Sequence, residues 1–219
     1  MKKGHRDAKL LAIVVAALSL GAACDGPSEG PERGQALFGA CVSCHGASGA
    51  GNPEVGAPAI AGLPAWFVES QLLKFKSGTR GTHPDDEAGM RMRPLSLTLR
   101  NEADVKNVAA WVQSLPRVPG DHAVAGGDAA RGKALFATCM ACHGPDGGGN
   151  QALNAPPLAG ADDWYLLAQL KKFKSGARGA DPKDALGAQM RAMVNTLTDE
   201  QAMKDVVAHI ASLPAKGGS

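Results

Sequence analysis

Large aromatic side chains are scarce in this sequence. Phe, Trp and Tyr make up 4% of the 219 residues, and Tyr occurs only once. Small domains with so few large side chains lack the apolar volume that fills a core, so a buried prosthetic group is expected to supply it. Glycine (28) and proline (14) are common, which is typical of short helices joined by long loops.

The chain also lacks a large excess of positive over negative charge, or of negative over positive. The formal net charge is +2, but four of the basic residues lie within the first ten positions. Residues 24–219 hold 19 basic and 20 acidic side chains, so the rest of the chain is close to neutral. This balance does not indicate nucleic-acid binding.

No apolar run is long enough to span a bilayer. The longest, from Leu10 to Ala23, has 14 residues, and a spanning helix needs 18 or more. A basic start, this run and the small residues Gly21–Ala23 form the pattern of an export signal over residues 1–23. We therefore predict a periplasmic protein.

Cysteine is limited to five residues, and Cys24 stands apart from the other four. It follows the signal directly, as in lipoproteins, and a lipidated Cys24 would tether the chain to the membrane surface. Lipoprotein signals usually carry Leu three residues earlier, where this chain has Gly21. Lipidation and a free thiol both stay open.

The other four cysteines form one motif that occurs twice, Cys41-Val-Ser-Cys44-His45 and Cys139-Met-Ala-Cys142-His143. Cys-x-x-Cys-His is the attachment signature of c-type haem: two thiols form thioethers and the histidine becomes the proximal ligand of the iron. A redox dithiol would need a neighbouring βαβ pattern, and a zinc site would need two Cys pairs 15–20 residues apart. Neither is present, so we predict two covalently bound haem c groups.

The motif belongs to a long internal repeat. At an offset of 98 residues, 40 of the 84 positions in 33–116 are identical to those in 131–214. The sequence therefore predicts a duplicated domain, at 31–116 and 128–214. The remaining segments are the signal (1–23), an N-terminal tether (24–30), a linker (117–127) and a tail (215–219).

Each half has the pattern of a small all-α domain. Helices are predicted at 32–40 and 129–138, with Asp128 as an N-cap, and at 66–77 and 164–175, with Gly176 as a C-cap. A last helix carries regularly spaced apolar residues before Pro116 and Pro214. Thr198 and Gln201 resemble a capping box at its start in the second half.

The repeat also selects a sixth ligand for each iron. Met92 and Met190 occupy equivalent positions of the repeat, 98 residues apart. The positions equivalent to Met90 and Met193 hold Ala188 and Leu95. We therefore predict His45 with Met92, and His143 with Met190, as axial pairs. An iron with two protein ligands has no open position for a substrate, which favours an electron carrier over a di-haem peroxidase.

Three further pairs are secondary candidates. Pro58 and Pro156 could accept a hydrogen bond from the proximal imidazoles. Trp66 and Trp164 could line the haem crevices or fill the core. Arg80 and Arg178 could anchor haem propionates, form a docking patch, or lie at solvated helix ends.

These motifs resemble the di-haem cytochrome c4 family over nearly the whole of residues 24–219. The resemblance implies two tandem class-I cytochrome c folds related by a pseudo-two-fold axis, with the haem propionates facing each other. It implies a periplasmic shuttle that carries single electrons from a dehydrogenase or quinol-oxidising complex to a terminal oxidase or reductase. The alternative is a cytochrome subunit of a periplasmic dehydrogenase complex.

Overall fold

The structure is a computed structural model that describes residues 29–215. The predicted signal, Cys24 and most of the predicted tether lie outside the described residues, as does the end of the tail. Within residues 29–215, no helix has the length and apolar character that crossing a membrane requires.

The described part of the chain contains ten α-helices, two short 3₁₀-helices (Pro53–Val55 and Gln151–Leu153) and two isolated bridges, but no strand. The halves have the same five helices in the same order. The first half contains α1 (Pro31–Phe38), α2 (Val42–His45), α3 (Ala65–Ser77), α4 (Glu87–Leu97) and α5 (Glu102–Ser114). The second contains α6 (Ala129–Phe136), α7 (Met140–His143), α8 (Asp163–Ser175), α9 (Ala185–Val194) and α10 (Glu200–Ser212).

Each half has its own apolar core around its last helix. Helix α5 packs against α1 and α3, and α10 packs against α6 and α8. The first core contains six buried side chains: Phe38, Leu72, Leu99, Val105, Val108 and Val112. The second core is larger and includes Phe136, Phe173, Met203, Val206 and Ile210. The all-α prediction and the tandem duplication are confirmed.

The predicted helices agree with the structure in position, with two differences. The N-cap at Asp128 and the left-handed C-cap at Gly176 are confirmed. The capping box at Thr198 is wrong, because Asp199 is the N-cap of α10 and accepts a hydrogen bond from Ala202 N. Helices α2, α4, α7 and α9 were not predicted, although α4 and α9 carry the candidate methionine ligands.

The segment between the halves is fixed by two buried carboxylates at the start of α8. Asp162 accepts hydrogen bonds from Asp121 N (2.8 Å) and from Ala59 N in the first half (2.7 Å). Asp163 accepts two more, from Ala123 N (2.9 Å) and Val124 N (3.0 Å). The connection is therefore held against both halves.

The first and last helices of each half cross at a glycine. A Cβ at Gly34 would overlap the carbonyl oxygen of Asn107 in α5, and one at Gly132 would overlap the carbonyl oxygen of Asp205 in α10. Backbone atoms cannot move aside as a flexible side chain can. Close helix crossing therefore depends on glycine at both positions.

We expect Gly34→Ala to destabilise the first half by about 3 kcal/mol, because α1 must move away from α5 and open the core. Denaturant unfolding of the haem-loaded protein would measure this loss. Gly39→Ala is the matched control, since its Cβ would lie 3.2 Å from the nearest heavy atom, the Ala36 carbonyl oxygen. Equal stability of the two variants would contradict the crossing argument.

Asp205 joins α10 to the start of α6. This carboxylate, 3% exposed, accepts hydrogen bonds from Arg131 Nε (2.8 Å) and Asp128 N (2.8 Å). The Arg131 hydrogen bond, followed by that from the Asp128 backbone, holds the pKa of Asp205 well below its usual range. As pH falls, the unfolded chain therefore takes up this proton before the folded chain does.

The stabilising contribution of Asp205 should be complete above about pH 4, near the ordinary pKa of Asp, and decline as pH falls towards the lower folded pKa. We expect Asp205→Asn to lower stability at pH 7 and to flatten the loss of stability between about pH 4 and pH 2.5. Thermal unfolding followed by circular dichroism at several pH values measures both effects. Parallel pH profiles for the two proteins would show that Asp205 contributes nothing to the acid sensitivity.

Candidate haem sites

The two Cys-x-x-Cys-His strings each form a single helical turn, α2 and α7. His45 N donates to Cys41 O at 2.9 Å, and His143 N donates to Cys139 O at the same distance. Residues three apart on such a turn face the same side, so both sulfurs of a motif are presented together. Cys44 and Cys142 are exposed, whereas His45 and His143 are 7% and 8% exposed.

The buried imidazoles are held in one orientation by proline carbonyls. His45 Nδ1 lies 2.9 Å from Pro58 O, and His143 Nδ1 lies 2.8 Å from Pro156 O. Because a carbonyl can only accept, Nδ1 carries the proton and Nε2 keeps its lone pair for a metal. Burial lowers the pKa of both histidines, although the carbonyl hydrogen bond opposes it, so the neutral, ligating form is favoured.

The four candidate methionines differ in burial, and the two that are more buried are the two that the repeat selects. Met92 in α4 and Met190 in α9 are partly buried and pack against the first and second cores. Met90 and Met193 are 39% and 40% exposed.

One large cavity contains the second motif. It is lined by Cys139, Cys142 and His143 of the motif, by Met190 and the more exposed Met193 of α9, and by many apolar side chains. It continues to the first half, where Pro58 and Trp66 line it. An apolar cavity with a thioether and an imidazole on its walls has the donor set of a His/Met haem site.

Each candidate tryptophan contacts the aromatic ring of the next residue in an edge-to-face geometry. Trp66 lies edge-to-face on Phe67 with ring centroids 5.9 Å apart, and Trp164 lies edge-to-face on Tyr165 at 6.0 Å. The indole N–H of Trp164 is buried without a hydrogen-bond partner among the described residues. A buried donor of this kind fits an acceptor supplied by a cofactor.

Arg80 and Arg178 meet between the two halves, so neither is a solvated helix end. Arg80 Nη1 donates to Gln71 Oε1 (2.9 Å) and its Nη2 to Gln169 Oε1 (3.2 Å). Arg178 Nη1 donates to Gln169 Oε1 (2.7 Å) and its Nη2 to Gln71 Oε1 (2.9 Å). Each amide oxygen is thus shared by both guanidiniums. We call these four residues, together with Tyr165, the interface cluster.

Two reciprocal ion pairs flank the interface cluster. Lys74 of α3 contacts Asp184 at 2.7 Å, and Lys172 of α8 contacts Asp86 at 2.5 Å. Asp86 and Asp184 are also the N-caps of α4 and α9, where they accept hydrogen bonds from Gly89 N and Gly187 N. Each methionine-bearing helix therefore begins at a residue that is bound by the opposite half.

The region is short of negative charge. Four cations (Lys74, Arg80, Lys172 and Arg178) face two carboxylates. Burial, followed by the charge of Arg80, lowers the pKa of Arg178 to about 9, and Nε of Arg80 is buried without a partner among the described residues. Additional anions would stabilise this arrangement, and haem carries two carboxylates per group. The residues present therefore fit the cofactor.

The two rival interpretations of the motif have no support. Within residues 29–215, no three His, Cys, Asp or Glu side chains are arranged to hold a metal ion, as a zinc site would require. Burial raises the pKa of Cys41 to about 11. Burial also raises the pKa of Cys139, although a hydrogen bond with Thr138 offsets part of that effect. A redox dithiol requires the opposite shift.

Sequence reasoning missed the partners that join the halves. Gln71, Lys74 and Asp86 recur 98 residues later as Gln169, Lys172 and Asp184. That recurrence was visible in the repeat, but it did not show which lysine meets which aspartate.

Comparison with known proteins agrees with the geometry. The chain matches the cytochrome c family twice, over residues 31–116 and 129–214. The thiosulfate dehydrogenase electron acceptor of Stutzerimonas stutzeri (strain A1501) is 36% identical over 165 residues, which span 70% of this chain and 72% of that protein.

The chain is also similar to solved structures, among them a cytochrome c4 and a thiosulfate dehydrogenase. Reduced recombinant cytochrome c4 from Pseudomonas stutzeri superimposes with a TM-score of 0.66 and 25% identity, over 85% of this chain and 100% of that one. Thiosulfate dehydrogenase (TsdBA) from Marichromatium purpuratum gives a TM-score of 0.67 and 31% identity. That match covers 84% of this chain but only 40% of the longer one.

Proposed function

The chain belongs to the cytochrome c family as a di-haem electron carrier of the cytochrome c4 type, and we propose that a thiosulfate dehydrogenase is its electron donor. It has two covalently bound haem c groups. Similarity to a thiosulfate dehydrogenase electron acceptor, at 36% identity through both halves, is the observation that carries the choice of donor. The acceptor we propose is a terminal oxidase or reductase, and the compartment is the periplasm, in keeping with the predicted signal.

The proposed ligands are His45 and Met92 in the first half and His143 and Met190 in the second. Cys41, Cys44, Cys139 and Cys142 form the thioethers. Haem iron supplies one-electron exchange between its ferric and ferrous states. The support for this ligand set is the Nδ1–carbonyl hydrogen bond of each histidine and the burial of one methionine of each pair.

The residues of the chain explain why such a centre carries electrons and does not act on a substrate. The proline carbonyl fixes the imidazole, so its lone pair needs no reorientation when the charge of the site changes. A thioether from Met92 or Met190 would be the second protein ligand of each iron, which would leave no position open to a substrate. His45 and His143 are buried, and Met92 and Met190 pack against the apolar cores, so the proposed ligands can change little in position when an electron is transferred.

The interface cluster is the proposed docking place for propionates. Arg80 and Arg178 can each donate further N–H groups, and the flanking lysines add positive charge. Propionates placed there would supply the anions that the interface lacks. Trp164, through its unpaired indole N–H, is proposed as an additional donor to the same kind of acceptor.

A second candidate function follows from the longer thiosulfate dehydrogenase chain, 40% of which this protein matches. The chain would then be a permanent cytochrome subunit of a dehydrogenase complex. Purification from the native membrane and soluble fractions in mild detergent distinguishes the two candidate functions. A subunit co-elutes with a catalytic partner, and a shuttle does not. The same material shows by mass spectrometry whether Cys24 is lipidated.

We expect thiosulfate to reduce the purified protein only when a thiosulfate dehydrogenase is present. Anaerobic stopped-flow spectroscopy at the haem absorption bands would show complete reduction of both haems, two electrons per molecule. Ascorbate serves as a small reductant that needs no docking. If ascorbate reduces the protein but thiosulfate with the dehydrogenase does not, the proposed donor is contradicted. The carrier assignment would still stand.

We expect Met190→Ala to open the second haem to carbon monoxide, giving about half the spectral change of a fully reactive di-haem protein. Met193→Ala is the matched control: the same helix loses the same side chain, but from an exposed position. Carbon monoxide binding to the unmodified protein, or equal reactivity of the two variants, would contradict the ligand set.

A further inference from the structure

The contact between the halves is close to symmetric, and this symmetry can be followed residue by residue. Gln71 and Gln169 are equivalent at the offset of 98, as are Arg80 and Arg178. Each arginine bonds the glutamine of its own half and that of the other half. Each guanidinium also lies over an equivalent phenylalanine, Phe75 or Phe173, with 4.5 Å to the ring centroid.

One position breaks this symmetry. Tyr165 in α8 is equivalent to Phe67 in α3, and it is the only tyrosine of the chain. The two rings stand at almost the same distance from their neighbouring tryptophans, 6.0 and 5.9 Å. Within the interface cluster and the aromatic rings beside it, the two sides therefore differ by a single hydroxyl group.

The hydroxyl of Tyr165 accepts one hydrogen bond and can still donate another. Tyr165 Oη accepts a hydrogen bond from Arg80 Nη2 at 3.0 Å, so its own hydrogen remains for an acceptor. Burial raises the pKa of this phenol, but the guanidiniums of Arg80 and Arg178 outweigh it and hold the pKa below its ordinary value. A more acidic phenol is a stronger hydrogen-bond donor.

The surroundings indicate which acceptor this donor meets. Tyr165 lines the cavity that also contains His143 and Met190, and it stands beside the cationic groups that lack anions. We propose that Tyr165 is a positioning residue that donates a hydrogen bond to a haem propionate of the second half and thereby makes the two haems unequal in reduction potential. This inference rests on the proposed function, since it requires both haems.

The direction of the effect follows from charge. A propionate carrying full negative charge favours ferric over ferrous iron, and a hydrogen bond from Tyr165 offsets part of that charge. Removing the hydroxyl should therefore lower the potential of the second haem. The first haem should change much less, because Phe67, the residue equivalent to Tyr165, carries no hydroxyl group.

The test is a potentiometric titration of the haem-loaded protein, with Tyr165→Phe as the variant. We expect two reduction transitions in the unmodified protein. In Tyr165→Phe, one of them should shift to lower potential while the other moves by less than a third as much. Met190→His, which replaces a thioether by an imidazole, identifies the transition of the second half by its large downward shift.

Phe67→Tyr is the matched control, because it adds the same hydroxyl at the equivalent position of the first half. It should raise the transition that Tyr165→Phe leaves nearly unchanged. Overlapping transitions in the unmodified protein, or transitions unmoved in both variants, would overturn the proposal. Haem content is measured on every sample: fewer than two haems per chain in the unmodified protein would instead refute the proposed function.

Discussion

The hydrogen bond between a buried imidazole and a proline carbonyl is the constraint from which each half is built. It lies between a one-turn helix and a loop thirteen residues further on, so it closes that loop around the histidine. It also settles which ring nitrogen is free. Because two cysteines of the same turn are the proposed attachment points of the cofactor, a domain with few aromatic side chains can assemble around a large apolar group.

Joining two such domains adds a second constraint, in which the halves exchange charges. Lysines at the end of α3 and α8 reach across to the carboxylates that cap α9 and α4. These carboxylates are buried, at 4% and 0% exposure, so breaking either pair would leave an uncompensated charge. The starting point of each methionine-bearing helix therefore depends on the opposite domain, and the halves are expected to behave as one unit.

Much of this architecture could be predicted from the sequence, because it is encoded in short patterns and in the repeat. The attachment motifs, the duplication and three helices per half follow from local spacing. Helices α4 and α9 escaped prediction since each contains a helix-weakening residue near its start, Gly89 or Gly187, and α4 also contains Pro94. The contact between the halves could not be predicted, because Lys74 and Asp184 are 110 residues apart and no local pattern links them.

Duplication by itself would give two equal sites, and equal sites have no preferred direction for an electron. The interface shows how little is needed to distinguish them. The arginines, glutamines, lysines and aspartates are retained on both sides, because each stabilises a partner in the opposite half. An aromatic ring is also retained at positions 67 and 165, where it packs against tryptophan. Within the interface cluster, the hydroxyl of Tyr165 is the group that lacks a counterpart, so it can change one site while the paired contacts of the cluster are retained.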